Sequence, residues 1–183
     1  MTIESRRLRL RPTREGDRAR LEQILSAPAV RRWWGEPGPN VEDAIAPGEE
    51  TDSYAIELRG GGGDRGRGGD GGGDGAVIGV IQSWSEEEPD FRHAGIDVAL
   101  APEIHGRGYG GEAVAALARH LFEHRRHHRV TIDPAAANVP AIRAYERIGF
   151  KPVGVMRRYW RDPDGVWQDG LLMDLLPEEL VEP

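Results

Sequence analysis

One stretch constrains this chain more than any other: GIDVALAPEIHGRGYGGEAVAALARHLFEH, from Gly95 to His124. Ile96, Val98 and Leu100 alternate along its start, as in a strand with one apolar face. Val114, Leu117, Ala118, Leu121 and Phe122 recur at the spacing of an amphipathic helix. Between strand and helix lies HGRGYGG, with four glycines in seven residues. The first N–H groups of a helix have no intrahelical acceptor and sit at its positive end. A glycine loop opening directly into a helix is therefore a seat for phosphate oxygens.

A second glycine run, Gly60 to Gly75, holds eleven Gly, three Asp and two Arg in sixteen residues. Nothing in it can offset the entropy of ordering the backbone. It reads as a flexible connection at 60–75 between the strands SYAIELR and AVIGVIQSW. It lacks the D-x-[DN]-x-[DN]-G pattern of a calcium loop, and no helix follows it.

The remaining elements follow from period and punctuation. RRLRLRP is a first strand with Leu8 and Leu10 on one face. TREGDRARLEQILSAP is a helix through Leu21, Ile24 and Leu25, stopped by Pro28. AVRRWWGEPGP is a short helical turn or loop. RVTID is a short strand ended by Pro134. NVPAIRAYERIG is a helix with Asn138 at its N-cap, Pro140 in its first turn and Gly149 just past its end. FKPVGVMRRYWR and VWQDGLLMDLL are two strands joined by DPDG, a tight-turn sequence. A strand-rich half followed by alternation predicts an α/β (α+β) fold with a mixed sheet.

Bulk properties narrow the classes. A length of 183 residues is most simply one domain, 1–183. The chain has no Cys, which excludes disulfides, thiolate metal sites and a Cys nucleophile. No apolar run of about 18 residues occurs, so no membrane partner is expected and the location is read as cytoplasmic. A net charge of −7 opposes nucleic-acid binding and suits a cationic small molecule. His120, His124, His127 and His128 mimic a helical metal site, but Arg119, Arg125, Arg126 and Arg129 surround them. Interaction with the helix C-terminus explains them better, and no metal is expected.

Two ligands compete for HGRGYGG. GRGYGG matches the dinucleotide pattern G-x-G-x-x-G, with Asp133 some way beyond at the end of the next strand. Against it, APEIH separates the strand from the first glycine, and the chain lacks further strand–helix repeats. The other ligand is coenzyme A. HGRGYGGEAVAAL followed by NVPAIRAYERIGF resembles the acyl-CoA site of the GCN5-related N-acetyltransferase (GNAT) family. That signature is Gln/Arg-x-x-Gly-x-Gly/Ala opening a helix, followed by an Asn, a Tyr-bearing helix and Gly-Phe. This chain supplies His105, Gly106, Arg107, Gly108, Tyr109 and Gly110, then Asn138, Tyr145, Gly149 and Phe150. His105 departs from Gln/Arg. WWG, QSW, EEEPD, GIDVAL and TIDPAAANVPAIRAYERIGF further resemble the aminoglycoside 6'-N-acetyltransferases, and also enzymes that acylate lysine-derived siderophore amines.

The resemblance implies one domain with six to seven strands, about four helices and splayed central strands. It implies acetyl-CoA as cosubstrate, bound through His105 to Gly111, Asn138 and Ala141, with the pantetheine arm along Val98, Ala99 and Leu100. It leaves monomer or homodimer open; the acceptor could instead be a siderophore lysine amine or a protein N-terminus, or the chain could be a non-catalytic acyl-CoA-binding domain of the same fold. Amine acetylation needs deprotonation, a polarised carbonyl, a leaving thiolate and two substrates held together. Without Cys, direct attack in a ternary complex is expected. Asp97, an acid inside an apolar strand, is the candidate base or amine anchor; alternatively it caps a neighbouring loop. Tyr145 can pack as a core aromatic while its hydroxyl serves as general acid. Asn138 can cap its helix and contact the coenzyme together. Acidic Glu86, Glu87, Glu88 and Asp90 are candidates for drawing a polycationic acceptor, with Asp169 and Asp174 as weaker ones. Trp34 and Trp84 are candidate walls of the same pocket, although paired Trp such as Trp33 and Trp34 are usually core.

Overall fold

The computed structural model of the chain describes residues 1–59 and 75–183. The elements run β1 (Ile3–Glu4), β2 (Leu8–Pro12), α1 (Arg18–Ser26), α2 (Pro28–Trp34), α3 (Pro37–Ile45), β3 (Thr51–Leu58), β4 (Val77–Glu86) and β5 (His93–Leu100). Then come α4 (Tyr109–Glu123), β6 (Val130–Ile132), α5 (Val139–Arg147), β7 (Lys151–Arg161) and β8 (Trp167–Leu175). The strands form one sheet in the order β1-β2-β3-β4-β5-β6-β8-β7. Among the described residues only β5 and β6 pair in parallel. This is a mixed, mostly antiparallel sheet, unlike the mostly parallel sheet of a dinucleotide fold.

The sheet has eight strands against the six or seven expected, because the two-residue β1 pairs Ile3 and Glu4 with Leu10 and Arg9. Two residues carry too little alternation to be read beforehand. Five α-helices form against about four expected. The segment read as a turn around Trp33 and Trp34 is two helices, each with Pro in its first turn. Pro28 therefore both ends α1 and begins α2, since proline at the first helical position costs no hydrogen bond. The connection expected at 60–75 falls, for 60–74, outside the described residues. On either side of it, Leu58 exchanges hydrogen bonds with Gly75 and Ala76, closing β3 onto β4.

Strand alternation sends neighbours to opposite faces. Ala94 and Ile96 of β5 enter the larger core beneath α4 and α5, where Val114, Leu117, Ala118, Leu121 and Phe122 are all buried. Ala99 and Val80 face the other way, onto Leu21 and Leu25 of α1, Val30 of α2 and Val41 and Ala44 of α3. Among the described residues no helix is long and apolar enough to cross a membrane.

Candidate active site

The parallel pairing that joins the halves of the sheet is brief. β5 meets β6 only at Ala94↔Val130 and Gly95↔Thr131. Beyond that point β5 runs on to Leu100, while β6 ends at Ile132 and the chain turns away through Asp133 and Pro134. Among the described residues no strand pairs with the β6-side edge of β5 from Ile96 to Leu100. The expected splay of central strands is thus present, with Val98, Ala99 and Leu100 along its open edge.

The glycine loop closes one end of this opening. Gly106 and Gly108 take φ of 77° and 80°, a conformation that costs a side-chain-bearing residue strain. Gly108 is the N-cap of α4 and turns Tyr109, Gly110 and Gly111 into its first turn. A Cβ on Gly110 would stand 3.3 Å from Leu100, so the helix start lies close against the end of β5. His105 donates a ring N–H to the Leu100 carbonyl at 2.9 Å and ties the loop to the strand it leaves.

A second tie comes from the N-terminus. The Arg7 guanidinium donates to the Arg107 carbonyl at 3.2 Å, covers the Tyr109 ring at 4.5 Å and bonds Glu112 at 2.6 Å. Glu112 is buried at the start of α4 and also accepts from the Arg7 backbone N–H and the Ser5 hydroxyl. Burial pushes this carboxyl up, but those three donors outweigh it and hold it below the ordinary carboxylate range. A negative charge near a helix N-terminus is favourable in its own right.

On the opposite side of β5 from Ile96, Asp97 opens into a cleft of about 430 Å³. Trp33, Trp34, Asp43, Gln82 and Trp84 share its lining. Trp84 lies flat on Gly95, where a Cβ would come within 2.1 Å of the indole; any side chain there would displace the wall. The Trp34 indole N–H donates to the Val98 carbonyl at 3.2 Å and so stands at the open edge. Asp97 is reached by water from the cleft but crowded by protein elsewhere. That burial, and secondarily the charge of Asp133, pushes it up to about 6.

Tyr145 of α5 is buried against Phe150, with ring centroids 6.1 Å apart. Burial first, then the charges of Asp97 and Asp133, raise its phenol well above the ordinary range. Asn138 caps α5 by accepting the Ala141 N–H at 3.4 Å. Asp133 follows the last residue of β6; burial raises its carboxyl, and the hydroxyl of Tyr159 donates to it.

The structure sets Asp97, Trp34 and Trp84 in one cleft, with Val98 to Leu100 on the open edge of β5, the loop His105 to Gly111 following that strand, and Tyr145 buried within reach of the charge of Asp97. Other expected residues lie elsewhere. The cleft lining stops short of Glu87, Glu88 and Asp90. Glu87 pairs with Arg92 at 2.9 Å, and Glu86 accepts the Glu88 N–H. Asp169 accepts the Arg158 N–H, and Asp174 pairs with Arg129. Sequence reasoning passed over Asp43, Asp133, Tyr159 and Arg7. Asp133 carries a signal related to that of Asp97, an acid at the end of an apolar strand, but in the sequence it enters only as part of the dinucleotide pattern.

A strand splayed from its parallel neighbour, with a glycine loop opening a helix at its end, defines an acyl-coenzyme A transferase of the acetyltransferase class. Comparison with known proteins agrees. The family model for the acetyltransferase (GNAT) domain matches residues 7–151. Aminoglycoside N(6')-acetyltransferase type 1 of Klebsiella pneumoniae is 31% identical over 175 residues, covering 85% of this chain and 78% of that one. The solved structure of AAC(6')-Ib in complex with paromomycin and acetyl-CoA superposes with a TM-score of 0.71 at 26% identity, covering 94% and 95% of the two chains. Spermidine N-acetyltransferase from Vibrio cholerae, solved with CoA and spermine, shares the fold at 19% identity with a TM-score of 0.75, covering 96% of this chain and 98% of that one. The chain belongs to the GNAT acetyltransferase family, and it is an N-acetyltransferase.

Proposed function

We propose that this protein transfers an acetyl group from acetyl-CoA to a primary amine, the 6'-amine of an aminoglycoside, by direct attack in a ternary complex. One observation carries the reading. The open edge of β5, the cleft holding Asp97 and the buried Tyr145 meet at the gap between β5 and β6.

The residues present fit the coenzyme. Glycines at 106, 108, 110 and 111 leave few side chains at the start of α4, and its first N–H groups suit a pyrophosphate. The strand edge left open at Val98 and Leu100, whose carbonyls accept from Trp34 and His105, suits the amides of a pantetheine arm through its N–H groups. Asn138 and Ala141, at the start of α5, are the further contacts we assign to the coenzyme. Acetyl-CoA supplies the thioester whose acetyl group is transferred.

The chain's own groups then move two protons. Asp97, poised near neutral pH, takes one from the acceptor ammonium onto a carboxylate oxygen, directly or through one water. This frees the nitrogen lone pair. The nitrogen bonds to the acetyl carbon as the carbon–sulfur bond breaks; Tyr145, which keeps its proton at working pH, gives it from Oη to the departing sulfur and is restored by the second proton that the acylated nitrogen sheds. Trp33, Trp34 and Trp84 present rings to an acceptor, while Asp43 and Asp97 suit its positive charge. The similarity to aminoglycoside N(6')-acetyltransferases supports the choice of acceptor.

The test is thiol release from acetyl-CoA in the presence of kanamycin, tobramycin, spermine, lysine derivatives or peptides. Release with the aminoglycosides, and product acetylated at the 6' position, is expected. Release only with lysine derivatives or peptides would reassign the acceptor.

A further inference from the structure

The hairpin of β7 and β8 contains a fault that aims one side chain at the site. Its register holds at Trp160↔Gln168 and again at Met156↔Gly170. Between these pairs Arg157, Arg158 and Tyr159 face the single residue Asp169. Such bulges re-aim side chains and occur beside active sites. Arg158 adopts φ of 52°, in the left-handed region that long side chains seldom enter.

Three contacts secure this bulge. Asp169 accepts the Arg158 N–H at 2.8 Å. A Cβ on Gly170 would stand 2.7 Å from Tyr159 Cδ1, so the Tyr159 ring lies across a position only glycine can fill. The Tyr159 hydroxyl donates to Asp133. The loop after Asp133 is fixed to the same part of β8. Leu171 N–H donates to Pro134, Ala136 N–H donates to Asp169, each at 2.9 Å, and Ala135 bridges to Gly170. Bulge and loop therefore share one foundation, and Tyr159 joins them at their tips.

The titratable groups around Asp133 are Asp97 from β5, Tyr145 from α5 and Tyr159 from β7. Among the described residues no Lys, Arg or His contributes to the shift of either Asp97 or Asp133. Two neighbouring carboxylates without a cation make a seat for one.

We propose that Tyr159 is a positioning residue for the acceptor: its hydroxyl fixes the Asp133 carboxylate beside Asp97, so that the two carboxylates hold one ammonium group between them. This rests on the amine-acetylating function proposed above. The bond also opposes the effect of burial on Asp133, because a hydroxyl donating to a carboxylate favours its charged form.

Tyr159→Phe isolates the hydroxyl, since the ring still lies on Gly170. Two measurements test it. In the free protein, the Asp133 side-chain carboxyl is followed by ¹³C NMR against pH. Its midpoint moves up in the variant; an unchanged midpoint overturns the proposal whatever the acceptor. In kinetics, KM for the amine rises roughly tenfold, the loss of one charge-assisted hydrogen bond, while KM for acetyl-CoA stays put. Equal changes in both KM values, or no change, would overturn it. Should the parent acetylate no amine, the proposed activity falls, and the carboxyl titration still upholds or overturns the contact between Tyr159 and Asp133.

Discussion

If Asp97 is the base, the acid side of the pH profile belongs to it. Its carboxyl is pushed up to about 6, by burial first and by the charge of Asp133 second. The base works only when ionised. With a midpoint near 6, about nine-tenths of it is ionised at pH 7 and about one-tenth at pH 5. So kcat/KM for the amine should fall close to tenfold between those two values, well above the range where an ordinary Asp titrates. The acceptor also titrates, but its contribution is common to every variant assayed with the same amine and cancels in ratios. Asp97→Asn preserves size and removes the base. Its rate should drop by a factor on the order of 10²–10⁴, and the residual activity should lose the acidic limb. Asp133→Asn removes the charge that adds to the shift, so the limb should move to lower pH while the burial effect remains. The assay is thiol release with saturating acetyl-CoA from pH 4.5 to 8. A wild-type limb below pH 5, or an Asp97→Asn profile parallel to wild type, would refute the assignment.

Other perturbations probe the supports of the site. Tyr145→Phe should lower kcat while coenzyme binding by calorimetry is largely retained, since the ring packing on Phe150 survives. Gly95→Ala forces the Trp84 indole from its place; chemical denaturation should show a loss of about 1–3 kcal/mol from overpacking, with a raised KM for the amine. Arg7→Ala deprives the buried Glu112 of its guanidinium. Arg7 is one-third exposed, so the cost should be about 2 kcal/mol, below that of a fully buried pair, and KM for acetyl-CoA should rise as the loop loosens. His127 and His120 are buried and held below the ordinary imidazole range, by burial first and neighbouring positive charges second. A depressed folded value means full stability above about pH 6.5 and loss as pH falls through the folded values. Urea midpoints should therefore be lower at pH 5 than at 7.5, and His127→Gln should reduce that difference.

What could be read in the sequence was whatever depends on near neighbours. The helix through Val114 and Phe122, the N-cap at Asn138 and the glycine loop before α4 are local patterns, and all stand as expected. Asp97 could be singled out as a candidate because an acid lies inside a mostly apolar strand of eight residues. The segment after Trp34 was not, because Pro-Gly-Pro reads as a turn whether or not a helix starts on its first proline. Partners distant in sequence were invisible for another reason. Asp133 stands near Asp97 only because β6 pairs in parallel with β5, and no hydrophobic period announces which strands will be neighbours.

The β7 bulge lies furthest beyond reach. MRRYWRDPDG reads as a plain strand entering a tight turn, and in plain register the ladder from Trp160↔Gln168 would set Arg158, not Met156, against Gly170. The shift turns Tyr159 toward Asp133 and requires Asp169 to hold a strained Arg158. On the role proposed for Tyr159, Asp169 serves the acceptor site through the bulge without touching the amine. Asp169→Ala leaves the Arg158 N–H without its acceptor and should mimic Tyr159→Phe in kinetics, whereas Asp174→Ala, which breaks only a pair with Arg129, should not. If the two Asp variants behave alike, the bulge does not govern the acceptor, and Tyr159 reaches Asp133 by some other support.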